Sequence, residues 1–542
     1  MGVVTLILAI LPILWLIVAL SVLKMAAWKA CSIAAVLSFV IAICPPYSKE
    51  PFLMFTGGLE GVALAVWPIL LVITAAIFTY NLVVHTKAMD TIKIMLSSVT
   101  ADKRVLALLL AWGFGAFMEG MAGFGTAVAI PAAMMVAVGF NPLKSILACL
   151  VANSVPTTFG SIGIPTTTLA TLTGLNPVEL GTFISAQLFI LNVIAPFFVV
   201  GIIGGGFKAL KGVFGVTLLS GLALAVPELL INKFVGPELS VIISSVVIMG
   251  VIILMSKVAP NTDPDYHVDI QAEKVSAKDG LIAAVPFILI FIFLLGTSKL
   301  VPAIYGPLSA IKTSVQIYMG AGAKPYTFVW IATPGIMIFL SAFIGGAIQK
   351  SGFGEMCGVL GRTFTGLKFT YITIIGVVVT AKLMTYSGMT GDIAEALVAA
   401  TGTLYPLFAP VIASVGAFIT GSGTNTNVLF GPLQVASGHS LDPINSDLSF
   451  WLAGINSGAS GTGKMLSPQS IAIAIGAVGP AIASYCKEAG ISKEKEEEML
   501  ESIHANKIMG GVFKYFVIFL VIGGLISYFG QAIIPELKAF LL

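Results

Sequence analysis

Two ionisable side chains stand inside apolar stretches of this sequence: Glu119, in GAFMEGMAGFGTAVAIP (115–131), and Lys464, in NSGASGTGKMLSP (456–468). A charge at membrane depth is costly enough to need a reason. A carboxyl taken out of water favours its neutral form, which is what a proton-coupling acid requires. The alternative role for Glu119 is structural, satisfied by backbone amides in a broken helix. Lys464 is expected on an unwound segment leading to a helix opened by Pro468. There it can neutralise a carboxylate while the first amides of that helix donate to it; alternatively it pairs with an acid and holds the segment. Asp392 and Glu395, in TYSGMTGDIAEAL, read either as a second acidic, proton-coupling site or as residues at the outer water interface. Lys382 either snorkels or pairs with Asp392.

Around these charges the sequence is rich in hydroxyls and amides: Thr126, Asn153, Ser154, Thr157, Thr158, Ser161, Ser422, Thr424, Asn425, Thr426, Asn427, Asn456, Ser457, Ser460 and Thr462. An inert core does not need so many. Some cap broken helices, and some face a ligand. His439, in GHSLDPINSD, is expected in a loop. There is no GxxxxGK[ST], no HExxH and no clustered Cys/His, so neither ATP hydrolysis, a metal nor a cofactor is expected. No nucleophile–base arrangement points to an enzyme.

The elements that must position these residues are membrane helices. Hydrophobic residues make 57% of the 542 and charged residues only 10%, against about 25% charged in soluble domains. Mean hydropathy is +1.02. The net charge of +3 and the lack of a basic face exclude a nucleic-acid partner. The cysteines (Cys31, Cys44, Cys149, Cys357, Cys486) are scattered and read as free thiols. Apolar runs at 3–23, 26–44, 59–84, 182–206, 213–231, 239–256, 281–298, 327–349, 368–388 and 511–535 are long enough to cross a bilayer. Two polar, Gly-rich core blocks lie between them, at 104–175 and 405–480. The first run lacks a basic n-region and is read as a span, not a cleaved signal. The charged segment 487–507 is expected to form a helical hairpin or amphipathic helix.

The core blocks repeat. GAFMEGMAGFGTAVAIP aligns with GAFITGSGTNTNVLFGP (416–432) through Gly115/Gly416, Ala116/Ala417, Phe117/Phe418, Gly120/Gly421 and Pro131/Pro432. NSVPTTFGSIGIP (153–165) aligns with NSGASGTGKMLSP through Asn153/Asn456, Ser154/Ser457, Gly160/Gly463 and Pro165/Pro468. Lysines at 85–104 put that segment in the cytoplasm by the positive-inside rule, and the N- and C-termini outside. The first core block then enters from inside and the second from outside. The fold expected is an all-α polytopic membrane protein of about 12 spans, made of two inverted-topology repeats with re-entrant or broken helices. Residues 1–211 form the first repeat, 212–256 an inserted span pair, 257–280 a cytoplasmic linker and 281–542 the second repeat. Such architectures place one site at the bilayer midplane.

GFGAFMEGMAGFGTAVAIPA, CLVANSVPTTFGSIGIP, TGSGTNTNVLFGPLQ and GKMLSPQSIAIA together resemble the signatures of the L-lactate permease family of bacterial and archaeal carriers. The resemblance covers essentially the whole chain. It implies a multi-pass protein of the plasma (cell inner) membrane that symports L-lactate, and often D-lactate and glycolate, with protons. Glu119, Lys464, Ser467, Pro468, Gln469, Ser422, Thr424 and Asn427 match the family pattern. The chain departs from it at Gly423, where an acid is usual, at Pro156–Ser161 and at Ala127. Asp392 is the candidate to compensate for the missing acid. Expected substrate-binding residues are therefore Lys464, Asn153, Ser154, Thr126, Ser422, Thr424, Asn425, Asn427, Asn456, Ser457, Ser467 and Gln469, with Glu119 and Asp392 for protons. Rival readings are a sodium-coupled carrier of another small organic acid, since unwound Asn/Thr/Ser-rich backbone also coordinates sodium, and a gated pore.

Overall fold

The computed structural model describes residues 2–541 except 124, 261–262, 269–274, 299, 321–322 and 324. Its first helices are α1 (Val3–Ile17), α2 (Ala27–Ile43), α3 (Pro51–Leu64), α4 (Leu71–His85) and α5 (Ala88–Ser97). The first core block follows as α6 (Lys103–Ala107), α7 (Gly115–Met121), α8 (Thr126–Ala137), α9 (Pro142–Asn153) and α10 (Gly160–Thr173). Then come α11 (Pro177–Gly204), α12 (Phe214–Phe234), α13 (Pro237–Val258), α14 (Ala277–Gly296), α15 (Pro302–Ala310), α16 (Pro334–Ile348), α17 (Phe353–Gly366), α18 (Lys368–Ser387) and α19 (Met389–Thr401). The second core block is α20 (Tyr405–Thr420), α21 (Gly423–Leu441), α22 (Asp447–Lys464) and α23 (Pro468–Glu488), followed by α24 (Lys493–Ser502), α25 (Ala505–Gly530) and α26 (Ile534–Leu541).

Among the described residues, 11 helices are long and apolar enough to cross a membrane. The number is 12 if Pro142–Asn153 and Pro156–Thr173, bent by 58°, form one broken span. The protein is thus a polytopic helical membrane protein. Span edges move from their expected places for local reasons. The run 59–84 is the far part of a longer segment in which α3 and α4 meet at a kink, where Trp67, just before Pro68, leaves helical geometry (φ −132°, ψ 112°). The run at 327–349 starts late because Tyr326–Val329 pairs antiparallel with Lys312–Val315, Val329 facing Lys312. Threonine and aromatic residues at alternating positions suit that small hairpin better than a helix. His439 belongs to the last turn of α21 rather than a loop, and it is exposed.

The linker is only partly a loose loop. Arg104, fully buried, holds Asp102 at 2.7 Å and donates to the carbonyls of Ala209 and Lys211, while its guanidinium sits 3.8 Å from the centre of the Tyr266 ring. The Val268 amide also donates to Ala101 O. Residues 263–268 are therefore docked on the end of α6; positions 261–262 and 269–274 of the expected linker lie outside the described residues.

Each core block contains breaks where its glycines and prolines fall. In the first, α7 stops at Met121 and α8 restarts at Thr126, whose hydroxyl donates to Gly123 O at 2.7 Å across the break. In the second, α20 stops at Thr420 and Ser422 caps α21 by accepting from the Asn425 amide. The segment GASGTGK is not unwound as expected. It is the regular last part of α22, and only residues 465–467 separate it from α23. Its small residues serve close packing instead: a Cβ on Gly461 would lie 1.7 Å from Ser154 O, so only glycine lets α22 press against the end of α9. Across the two blocks α8 packs on α23 and α10 on α21.

Candidate functional site

The breaks converge. Glu119 leaves α7, Thr157 comes from the turn between α9 and α10, Gly160 and Ser161 from the non-helical start of α10, Thr420–Asn425 span the α20–α21 break, and Lys464 and Gln469 flank the α22–α23 break. All of them line one cavity of about 260 Å³, together with Ala27 and Trp28 of α2 and Phe369, Thr370, Thr373 and Ile374 of α18. Irregular backbone of this kind persists in a membrane only where protein or a wet cavity satisfies it. Ser161 and Ile162 adopt φ of +45° and +60°, a strained conformation for side-chain-bearing residues and most of all for a β-branched one. Ser161 is held there by a 2.9 Å bond from its hydroxyl to Ala122 O.

At the cavity wall Lys464 Nζ donates to Glu119 Oε1 at 2.8 Å and to Thr157 Oγ1 at 3.2 Å. Asn153 joins both charges when its amide is oriented to satisfy the network: the nitrogen then donates to Glu119 Oε2 at 2.9 Å, and the oxygen accepts from Lys464 Nζ at 3.2 Å. Glu119 is 3% exposed and Lys464 6%. A buried pair is tolerable only with its remaining donors and acceptors occupied, and Asn153 and Thr157 occupy them. Gly160 makes the pair possible, because a Cβ there would stand 2.6 Å from Glu119 Oε1.

The L-lactate permease family matches residues 5–494 of this chain. The chain belongs to that family. An L-lactate permease of Streptococcus iniae is 47% identical over 440 residues, 80% of this chain and 91% of its own length. The glycolate permease GlcA of Escherichia coli K12 is 33% identical over 508 residues (87% and 89%), and an L-lactate permease of Bacillus subtilis 32% over 513 (87% and 90%).

Set against the family motifs, the site residues fall into groups. Ser422, Thr424, Asn425 and Gln469 line the cavity with Glu119 and Lys464, and Asn153 bridges the ion pair. Asn427, Asn456 and Ser457 instead lie behind it in a buried lattice. Asn427 Nδ2 donates to Ser457 Oγ and Pro165 O, and Asn456 Nδ2 to Asn427 Oδ1. Ser154 bonds to Val151 O, and Thr126 spends its hydroxyl on Gly123 O. Ser467 is buried with no partner for its hydroxyl among the described residues. The Asn425 side-chain oxygen likewise has none, although it is at the cavity.

Asp392 does not line the cavity; it is half-buried and accepts a 2.7 Å hydrogen bond from Tyr47. Lys382 pairs with Glu60 at 2.8 Å and not with Asp392, because α18 packs along α3. Glu60 and Glu228 are further intramembrane acids, each a lone charge within an apolar run. Glu228 is fully buried, accepts from Asn192 at 3.0 Å and has no cation beside it among the described residues. Trp28 and Phe369 carry no cavity signal in the sequence, since an aromatic next to a lysine at a helix start has the signature of a membrane-interface anchor.

Proposed function

We propose that this protein is a proton-coupled carrier of L-lactate and related 2-hydroxymonocarboxylates such as D-lactate and glycolate. The Glu119–Lys464 pair on the wall of a small polar cavity carries the reading. A three-carbon acid displaces only a few waters of about 30 Å³ each, so 260 Å³ holds it with solvent to spare. Selection then rests on polar partners. Lys464 is the cation for the carboxylate, and the hydroxyls and amide that line the cavity at Ser422, Thr424 and Asn425 are the partners for the 2-hydroxyl.

The same pair supplies a coupling rule. While Glu119 is ionised it holds Lys464, and a second carboxylate arriving there meets like charge, about 4 kcal/mol at 4 Å for an effective dielectric of 20. Protonation of Glu119 releases Lys464, so proton and anion load together. Asn153 and Thr157 keep the lysine in place during the exchange. Names of similar proteins, lactate and glycolate permeases, support the substrate class.

An inverted repeat is supported by reciprocal packing. Exchanging the halves maps α8 on α21 and α10 on α23, and turns the contact α8–α23 into α21–α10, which is also made. The scaffold behaves alike: α2–α18 exchanges with α16–α4, and α1–α19 with α14–α5. Residues 1–211 and 281–542 are read as the two repeats, alternating access moving the core past the scaffold, with both termini outside the cell membrane.

Counterflow in proteoliposomes with lactate, glycolate, pyruvate and a dicarboxylate, at two pH values and with or without sodium, tests the reading. Saturable, sodium-independent lactate and glycolate exchange is expected, with net accumulation driven by an imposed pH gradient. Sodium-dependent uptake or dicarboxylate preference overturns it. Lys464→Ala is expected to abolish lactate binding by the purified protein.

A further inference from the structure

Two aromatic rings of the cavity lining are brought together by the scaffold from distant parts of the chain. Trp28, at the start of α2, and Phe369, at the start of α18, stack with centroids 5.4 Å apart and planes 21° from parallel. Both line the cavity. Each ring carries an exposed lysine: Lys29 Nζ is 5.4 Å from the Trp28 ring centre and Lys368 Nζ 5.0 Å from that of Phe369. Next to this lining lies a second space of about 620 Å³, lined by Lys24. It shares Ala27, Thr373, Thr420, Asn425 and Gln469 with the first. Among the described residues lining the two, the charged side chains are Lys24, Lys464 and Glu119.

We propose that the Trp28–Phe369 stack and Lys24, Lys29 and Lys368 form the entrance to the Lys464 site, an aromatic gate whose lysines gather small monocarboxylate anions. The inference rests on the carrier reading above. Lysines bracketing a narrow low-dielectric opening focus field and raise the encounter rate of an anion, typically by 10-fold or more at low salt. The paired rings supply an apolar partition that separates the exposed lysines from the buried pair. Lys24 and the two ring-borne lysines lead the carboxylate along one face toward Lys464. An interfacial anchor would also combine Trp, Phe and Lys, but an anchor has no reason to line the cavity, and its removal would leave entry rates unmoved.

The test uses full-length protein in proteoliposomes, with L-lactate as the probe and initial counterflow rates as the readout. K24Q/K29Q/K368Q is expected to lower kcat/KM about tenfold at low salt with kcat within about twofold. K24R/K29R/K368R is expected to restore it, and wild type and variant are expected to converge at about 1 M salt, where screening acts over about 3 Å. Unchanged kcat/KM in the glutamine variant, or equal loss in the arginine one, overturns the gate. Should the glutamine variant fail to insert, wild-type kcat/KM alone decides: a value independent of salt overturns the proposal. Wild-type protein that performs no lactate counterflow overturns the carrier reading and the gate with it. Wild-type counterflow with unmoved kcat/KM in the variant removes only the gate.

Discussion

Lys464 Nζ lies 2.8 Å from Glu119 Oε1, an ion pair that joins the last residue of α22 to α7 across 345 positions of sequence. Both partners are almost wholly out of water, so each depends on the other. Removing one partner of such a pair typically costs about 3–5 kcal/mol, because the remaining charge is left buried. Glu119→Gln and Lys464→Met are each expected to lower the unfolding temperature of the purified protein. The double variant is expected to lose clearly less than the two losses added. Additive losses in a thermal-melt cycle would show that the two do not interact.

Glu119→Gln separates binding from coupling. The amide mimics the protonated acid, so the variant is expected to keep lactate counterflow within a few-fold of wild type and to lose accumulation on an imposed pH gradient. Radiolabelled uptake with and without the gradient reads both. A variant that still accumulates lactate clears Glu119 of the coupling role.

Gly160 is the residue that leaves room for the pair. A methyl there would meet Glu119 Oε1 at 2.6 Å, and the carboxylate would have to swing off Lys464. Gly160→Ala is expected to reduce lactate transport at least tenfold while the protein still reaches the membrane. Transport within twofold of wild type would show that the site tolerates displacement of Glu119.

Asp392 and Glu119 can be told apart directly. Because Asp392 is held by Tyr47 and lies off the cavity lining, Asp392→Asn is expected to leave pH-driven uptake within about twofold of wild type. Loss of pH dependence with intact counterflow would move the coupling site to Asp392.

Much of this was readable in the sequence because the membrane imposes it. Spans follow from apolar length, and the paired Gly/Pro-rich blocks announced broken helices, since polar irregular backbone has no other use at that depth. Glu119 and Lys464 stood out as charges inside those blocks. What could not be read was which polar residues face the cavity. Asn425 and Asn427 are two positions apart on one helix, about 200° around its axis, so one lines the cavity and the other locks α21 to Ser457 and Pro165. The role of GASGTGK was also hidden: its composition suits an unwound segment and a tightly packed helix equally well, and the approach of Ser154 decides for the helix. Trp28 and Phe369 meet only through the packing of α2 on α18, which no local pattern encodes.

Glu228 makes a separate point about buried acids. With one hydrogen bond from Asn192 and no cation beside it among the described residues, a neutral carboxyl fits the site, since an unpaired buried charge is far costlier. Glu228→Gln is expected to melt within a few degrees of wild type, and Glu228→Ala clearly lower. A large loss in the glutamine variant would show that the ionised form is the one the fold requires.

The central claim, that an incoming carboxylate takes Lys464 from Glu119 as Glu119 takes a proton, is tested most directly by counting protons. Purified protein in a weakly buffered solution near neutral pH is mixed with L-lactate, and the pH change is followed. About one proton taken up per lactate bound, lost in Glu119→Gln, is the predicted result. Lactate binding with no proton uptake in the wild-type protein would contradict it.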